Sequence, residues 1–137
     1  MCIRDRAYPR LAASGSSSVE RLYVSTDSPE IADIGREYGA EIIDRPPELC
    51  TPEALGEDAY RHGFEVIRDQ LGGEGHELEL LILLFANAPT VSADLIDEGV
   101  ATLRADPTLD SAVTVSRYNM WSPLRARRLA PDGTIQP

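Results

Sequence analysis

Apolar positions along the chain change their spacing several times, and each change predicts an element. Leu22 to Ser25 reads as a short strand. Ile31, Ile34 and Tyr38 then recur at i, i+3 and i+7, one face of a helix. Ser28-Pro29-Glu30 supplies that helix with an N-cap, a first-turn proline and an acid at the positive end of its dipole, and Gly39 supplies the stop. Residues 40–44 predict a second strand, and Arg45-Pro46-Pro47 forbids a helix and opens an irregular loop to about Leu55. A helix over Gly56 to Leu71 follows, with Tyr60, Phe64, Ile67 and Leu71 as its apolar stripe and a Gly72-Gly73-Glu74-Gly75 stop.

The strongest apolar signal is the run from Leu78 to Phe85, which does not alternate. Such a run predicts a parallel strand covered on both faces. It ends abruptly at Asn87-Ala88-Pro89, either because the chain turns there or because the strand end faces a ligand. Ser92 then caps a third helix, with Leu95, Ile96, Val100 and Leu103 inward, ending at Asp106-Pro107. Ser111 to Ser116 reads as another strand, and Pro131-Asp132-Gly133 predicts a hairpin turn between the flanking apolar stretches.

Strands alternating with helices predict an α/β fold with a mostly parallel, Rossmann-like sheet and helices on both faces, plus a C-terminal hairpin. There is no internal repeat. In such folds ligands bind beyond the C-terminal ends of the strands. Four ends are legible: Thr26-Asp27, Asp44-Arg45, Ala86-Asn87-Ala88-Pro89 and Arg117-Tyr118. Residues 1–19 show no convincing period; Ser14 to Ser18 is a flexible polar stretch, and the opening MCIRDR resembles a translated sequencing adapter. The division expected is therefore a disordered or extraneous segment 1–19 and a partial domain 20–137.

Composition narrows the function. With 137 residues, 42% hydrophobic and 26% charged, the chain fits one globular domain. A net charge of −10 argues against a nucleic-acid or anionic-membrane surface, and no apolar run approaches the roughly 20 residues of a membrane helix. The 2 cysteines form no CxxC, so neither a disulfide framework nor a zinc site is expected, and a reducing cytoplasm is the expected location. His62 and His76 are isolated and read as ordinary helix or surface residues.

Residues 24–49, VSTDSPEIADIGREYGAEIIDRPPEL, resemble the cytidylyltransferases that activate acidic sugars, of the acylneuraminate type. LLILLFANAP and LDSAVTVSRYNMWSP resemble later strands of the same family, so the likeness runs from about residue 20 to 130. It implies a nucleotidyltransferase-type fold, incomplete here, and transfer of CMP from CTP to an acidic 3-deoxy-2-keto sugar with release of pyrophosphate. It also implies Mg²⁺ as cofactor. The implied partners are CTP and an acidic sugar, with no nucleic acid and no membrane; a homodimer is the candidate assembly.

Matched residue by residue, the resemblance implies nucleotide contacts at Arg45, Ala54, Gly56, Phe85 and Asn87. Phe85 stands where many members have Gln. Asn87 stands where the enzymes activating 3-deoxy-manno-octulosonate have a metal-binding Asp, and its amide oxygen is a weaker Mg²⁺ ligand. Arg117 and Tyr118 fall on the sugar side, and no catalytic residue is assigned. The family's Gly-rich, basic phosphate loop has no counterpart here, and its later acidic ligands would fall past Pro137, so a chain truncated at both ends is expected. Without a central strand it is expected to be marginal and prone to aggregate. The rival reading is a non-catalytic nucleotide- or sugar-binding domain, or an inactive fragment.

Plainer roles compete at each position. Asp27 either holds nucleotide or metal or caps the following helix, and Arg45 either meets a ligand or pairs with Asp44 or Glu48. Glu57-Asp58 reads as a helix start. Arg125, Arg127 and Arg128 read as solvated hairpin charges, and Met120 and Trp121 as packing or interface residues.

Overall fold

The computed structural model describes residues 8–88, 90–115, 128–129, 131 and 135–136. The elements are α1 (Tyr8–Gly15), β1 (Tyr23–Thr26), α2 (Pro29–Glu37), β2 (Glu41–Asp44), α3 (Gly56–Gly73), α4 (Ala93–Ala105), β3 (Arg128–Leu129) and β4 (Ile135–Gln136). It is a mixed α/β arrangement, consistent with an incomplete Rossmann-like fold.

β1 and β2 pair in parallel, from Tyr23 opposite Glu41 to Thr26 opposite Asp44. Their crossover is α2, which begins where the sequence predicts: the Ser28 side chain accepts from the Ile31 amide at 3.5 Å. The return to β2 needs Gly39, whose φ of +73° few residues with a Cβ adopt. α2 lies close on the sheet because Gly35 has no side chain: a Cβ there would stand 2.9 Å from Ile42 Cδ1 and 3.5 Å from Val24 Cβ. Val24 and Ile42 thus face α2. Alternation turns Ile43 to the opposite face, where it is buried and borders a cleft with Ala59 and Ile67 of α3. α2 therefore covers one face of the short ladder, while the other face borders the cleft that α3 also lines.

α1 is a correction to the sequence reading. The stretch expected to be disordered is helical from Tyr8 to Gly15 and packs on α4, with Ala12, Ala13 and Ile96 as a buried cluster. Two small alanines carry that contact, so no large-residue stripe announced it. The following serines are fixed by one carboxylate. Asp97 on α4 accepts from Ser16 Oγ at 2.5 Å, from the Ser18 amide at 3.1 Å, and from the Ser17 amide and hydroxyl at 3.2 and 3.1 Å. Those donors, led by Ser16, hold the Asp97 carboxyl well below the usual carboxylate range.

Two predicted strands are not strands here. Residues 78–85 run without ladder pairing, and Leu81, Ile82, Leu83 and Phe85 stand 36–51% exposed. Residues 111–115 are likewise unpaired, with Val113 and Val115 almost fully exposed. Apolar patterning reports what a segment fits, whereas a strand also requires a neighbour to receive its amides. No described segment stands beside either run in bonding register. The predicted hairpin does form: β3 and β4 pair antiparallel, Arg128 with Gln136 and Leu129 with Ile135.

Candidate functional site

The C-terminal ends of β1 and β2 converge on one side chain. Arg45, directly after β2, is half-buried, and its Nη2 donates to the Ser25 carbonyl at 2.7 Å while its Nε donates to Ser25 Oγ at 3.2 Å. The sequence offered Asp44 or Glu48 as its partner; the structure gives Ser25. A guanidinium presents a rigid fork, so two donors fixed on one residue also fix the direction of the others. Ser25 lies in the stretch that carries the family resemblance, but the sequence assigned it no role of its own.

Beside it, Thr26 is buried and its Oγ1 accepts from the Ser28 amide at 3.1 Å. Because Ser28 is the cap of α2, Asp27 is not, and its carboxylate remains exposed at the strand end. The loop after Arg45 folds back through a 3-10 turn, Pro47–Leu49, and the Cys50 thiol donates to the Pro46 carbonyl at 3.3 Å. Burial, reinforced by the nearby Asp27 carboxylate, pushes the Cys50 thiol up.

Phe85 and Tyr60 form the opposite wall. Their rings meet edge to face, with centroids 6.1 Å apart and planes at 75°. Tyr60 sits near the start of α3 over Gly56, where a Cβ would come within 3.1 Å of the Tyr60 hydroxyl. The sequence places Tyr60 in the helix's core stripe; it is instead 40% exposed. Of the other stripe members only Ile67 is buried; Phe64 is 39% exposed and Leu71 half-buried.

Asp27, Arg45, Tyr60, Phe85 and Ala86 line one cleft of about 890 Å³. Ala54 precedes α3 and Gly56 is its first residue, both outside that lining; the Ala54 amide is taken by the Thr51 carbonyl at 3.1 Å. Asn87 is exposed in a turn closed by the Ala88 amide and the Phe85 carbonyl at 3.0 Å. Glu57 and Asp58 occupy the first turn of α3, as a helix start favours. Arg117, Tyr118, Pro89, Met120, Trp121, Arg125 and Arg127 lie outside the described residues. Among the described residues no three His, Cys, Asp or Glu side chains come together as a metal cluster, and no helix is long and apolar enough to cross a membrane.

The chain is similar to the N-acylneuraminate cytidylyltransferase of Escherichia coli O18:K1:H7 (strain RS218 / NMEC), with 29% identity over 113 residues. The alignment covers 82% of this chain and 25% of that protein, so the chain spans about a quarter of the relative's length. The relationship is of cytidylyltransferase type. No family profile matches the chain.

Proposed function

We propose that the protein is a nucleotidyltransferase, or part of one, that moves CMP from CTP to an acidic 3-deoxy-2-keto sugar and releases pyrophosphate. The observation that supports this most is the convergence of Asp27 and Arg45, at the ends of β1 and β2, with Phe85 on one cleft, in a chain similar over most of its length to a cytidylyltransferase. In this reaction a sugar hydroxyl attacks the α-phosphorus, its proton passes to solvent or a base, and the P–O bond to pyrophosphate breaks. Positioning and charge stabilisation do most of the work in such a transfer.

In this reading Arg45, held by Ser25, directs its free guanidinium donors at the nucleotide. The Phe85 and Tyr60 rings form an apolar wall against which a planar base packs. Asp27 and Asn87 offer hard oxygen donors of the kind Mg²⁺ accepts, and one or two such donors suffice where phosphate oxygens and waters complete the shell. When bound, the ion neutralises charge on the phosphates. Arg117 and Tyr118 are assigned to the acidic sugar, and the setting proposed is cytoplasmic.

Calorimetric titration of the chain with CTP, UTP, ATP and GTP in the presence of Mg²⁺ tests this, followed by pyrophosphate release with a panel of sugar acids. A preference for CTP that Arg45→Ala weakens at least tenfold, with release on a sugar acid, is the expected result. Equal affinity for all four nucleotides would sink the cytidylyl reading. CTP binding without release on any acid would shift the assignment to a nucleotide-binding domain.

A further inference from the structure

The aromatic wall of the cleft depends on a side chain that is absent. A helical side chain leans toward the helix N-terminus and lies over the residue four positions back. For Tyr60 that residue is Gly56, the first of α3. A Cβ on Gly56 would stand 3.1 Å from the Tyr60 hydroxyl, 3.4 Å from Cζ and 3.6 Å from Cε2. Beyond the backbone of the helix itself, the three atoms nearest that missing Cβ all belong to Tyr60. The hydroxyl therefore rests against space that any other residue's side chain would fill.

Backbone conformation does not call for glycine at this position. Among the described glycines a positive φ occurs at Gly39 and Gly75, so Gly56 has a backbone open to residues with a Cβ. Glycine is also a poor helix former. Gly56 itself lies outside the cleft lining, whereas Tyr60 and Phe85 both line it and are both exposed. What the missing side chain changes is thus the seat of one cleft-lining ring.

We infer that Gly56 is a positioning residue for the nucleotide. By leaving its side-chain space to the Tyr60 hydroxyl, it lets the Tyr60 ring stand edge to face with Phe85, at 75° and 6.1 Å between centroids, and so shapes the wall against which the base packs. Gly56 acts through Tyr60 and touches no ligand. This inference rests on the assignment of the cleft to a nucleotide. A methyl group 3.1 Å from the hydroxyl oxygen is inside van der Waals contact, so in Gly56→Ala the ring tilts away. With the hydroxyl removed, the remaining distances of 3.4 and 3.6 Å are ordinary contacts, and the ring keeps its place. Tyr60→Phe is therefore the specific remedy for Gly56→Ala.

The test is calorimetric titration with CTP and Mg²⁺ of the unaltered chain, Gly56→Ala, Tyr60→Phe and the double variant. Fluorine NMR of each protein, with 4-fluorophenylalanine at Phe64 and Phe85, reads the wall without ligand. Gly56→Ala is expected to melt no lower than the unaltered chain, to move the Phe85 signal, and to weaken CTP binding about two- to tenfold, the range that a disturbed aromatic pair spans. In the Tyr60→Phe background the same substitution is expected to change neither the signal nor the affinity. Unchanged CTP affinity in Gly56→Ala would overturn the inference, as would an unmoved Phe85 signal. So would an equal loss of affinity in both backgrounds, which would assign Gly56 to the start of the helix and not to Tyr60. Absence of CTP binding by the unaltered chain would remove the proposed reaction and this role together, and is told apart because the failure precedes any substitution.

Discussion

The Arg45 guanidinium grips Ser25 twice, once at the carbonyl and once at the hydroxyl. The carbonyl lies on the edge of β1 that β2 leaves open, so Arg45 reaches around the strand end from the other strand. A lysine cannot reproduce two donors at fixed separation. Arg45→Lys is expected to lower stability by about 1 kcal/mol, and Ser25→Ala, which keeps the carbonyl contact, by less. Urea unfolding of the two variants and their double mutant measures the coupling. Strict additivity would show that the two residues do not act as a pair.

Two glycine-to-alanine substitutions are expected to have opposite signs. At Gly39 the φ of +73° is strained for alanine, so Gly39→Ala should cost about 1–2 kcal/mol. Gly63 lies inside α3, and beyond the backbone of its own helix turns nothing stands within 4 Å of the place a methyl group would take, so Gly63→Ala should stabilise by about 0.5–1 kcal/mol. Thermal melts of both variants decide the matter.

Gly35 is sensitive to size. Its missing Cβ lets α2 approach Ile42 and Val24 closely. Gly35→Val is expected to destabilise by about 1–3 kcal/mol through overpacking, read from the urea midpoint. A neutral result would mean that α2 shifts without loss.

Asp97 sets an acid limit. Its carboxyl is held below its ordinary value by the serine donors, so the contribution it makes is fully present above the unfolded-state carboxylate pKa. That contribution declines as pH falls through the ordinary carboxylate range toward the lowered folded value. The melting temperature of the native chain should therefore fall more steeply below about pH 4 than that of Asp97→Asn. Parallel curves for the two proteins would remove Asp97 from the explanation.

Local signals in the sequence were accurate where one element supplies its own partners. Ser28, Gly39 and Ser92 act within a turn of their own helix, and β3 and β4 pair across a short sequence separation, so each was legible. Residues 78–85 show the other case. Their apolar run states that two covered faces and two neighbours suit them, but the neighbours come from distant chain. α1 failed to register because Ala12 and Ala13 make a close helix contact without a large apolar stripe. At the site, Arg45 and Phe85 stood out through the family resemblance. Ser25 and Tyr60 did not, since a strand serine and a stripe tyrosine look the same whether or not they border a cleft.

The pair between Arg104 and Glu79 has a mechanical consequence. It pins the start of the 78–85 run to the end of α4, while Leu84 rests on the α1–α4 cluster near the other end. The run is thus a plank with two footings of different kind. One is ionic and more than half exposed, so added salt loosens it; the other is apolar and indifferent to salt. Raising ionic strength should swing the plank about Leu84, which widens the cleft from the Glu79 end and leaves the Phe85 wall in place.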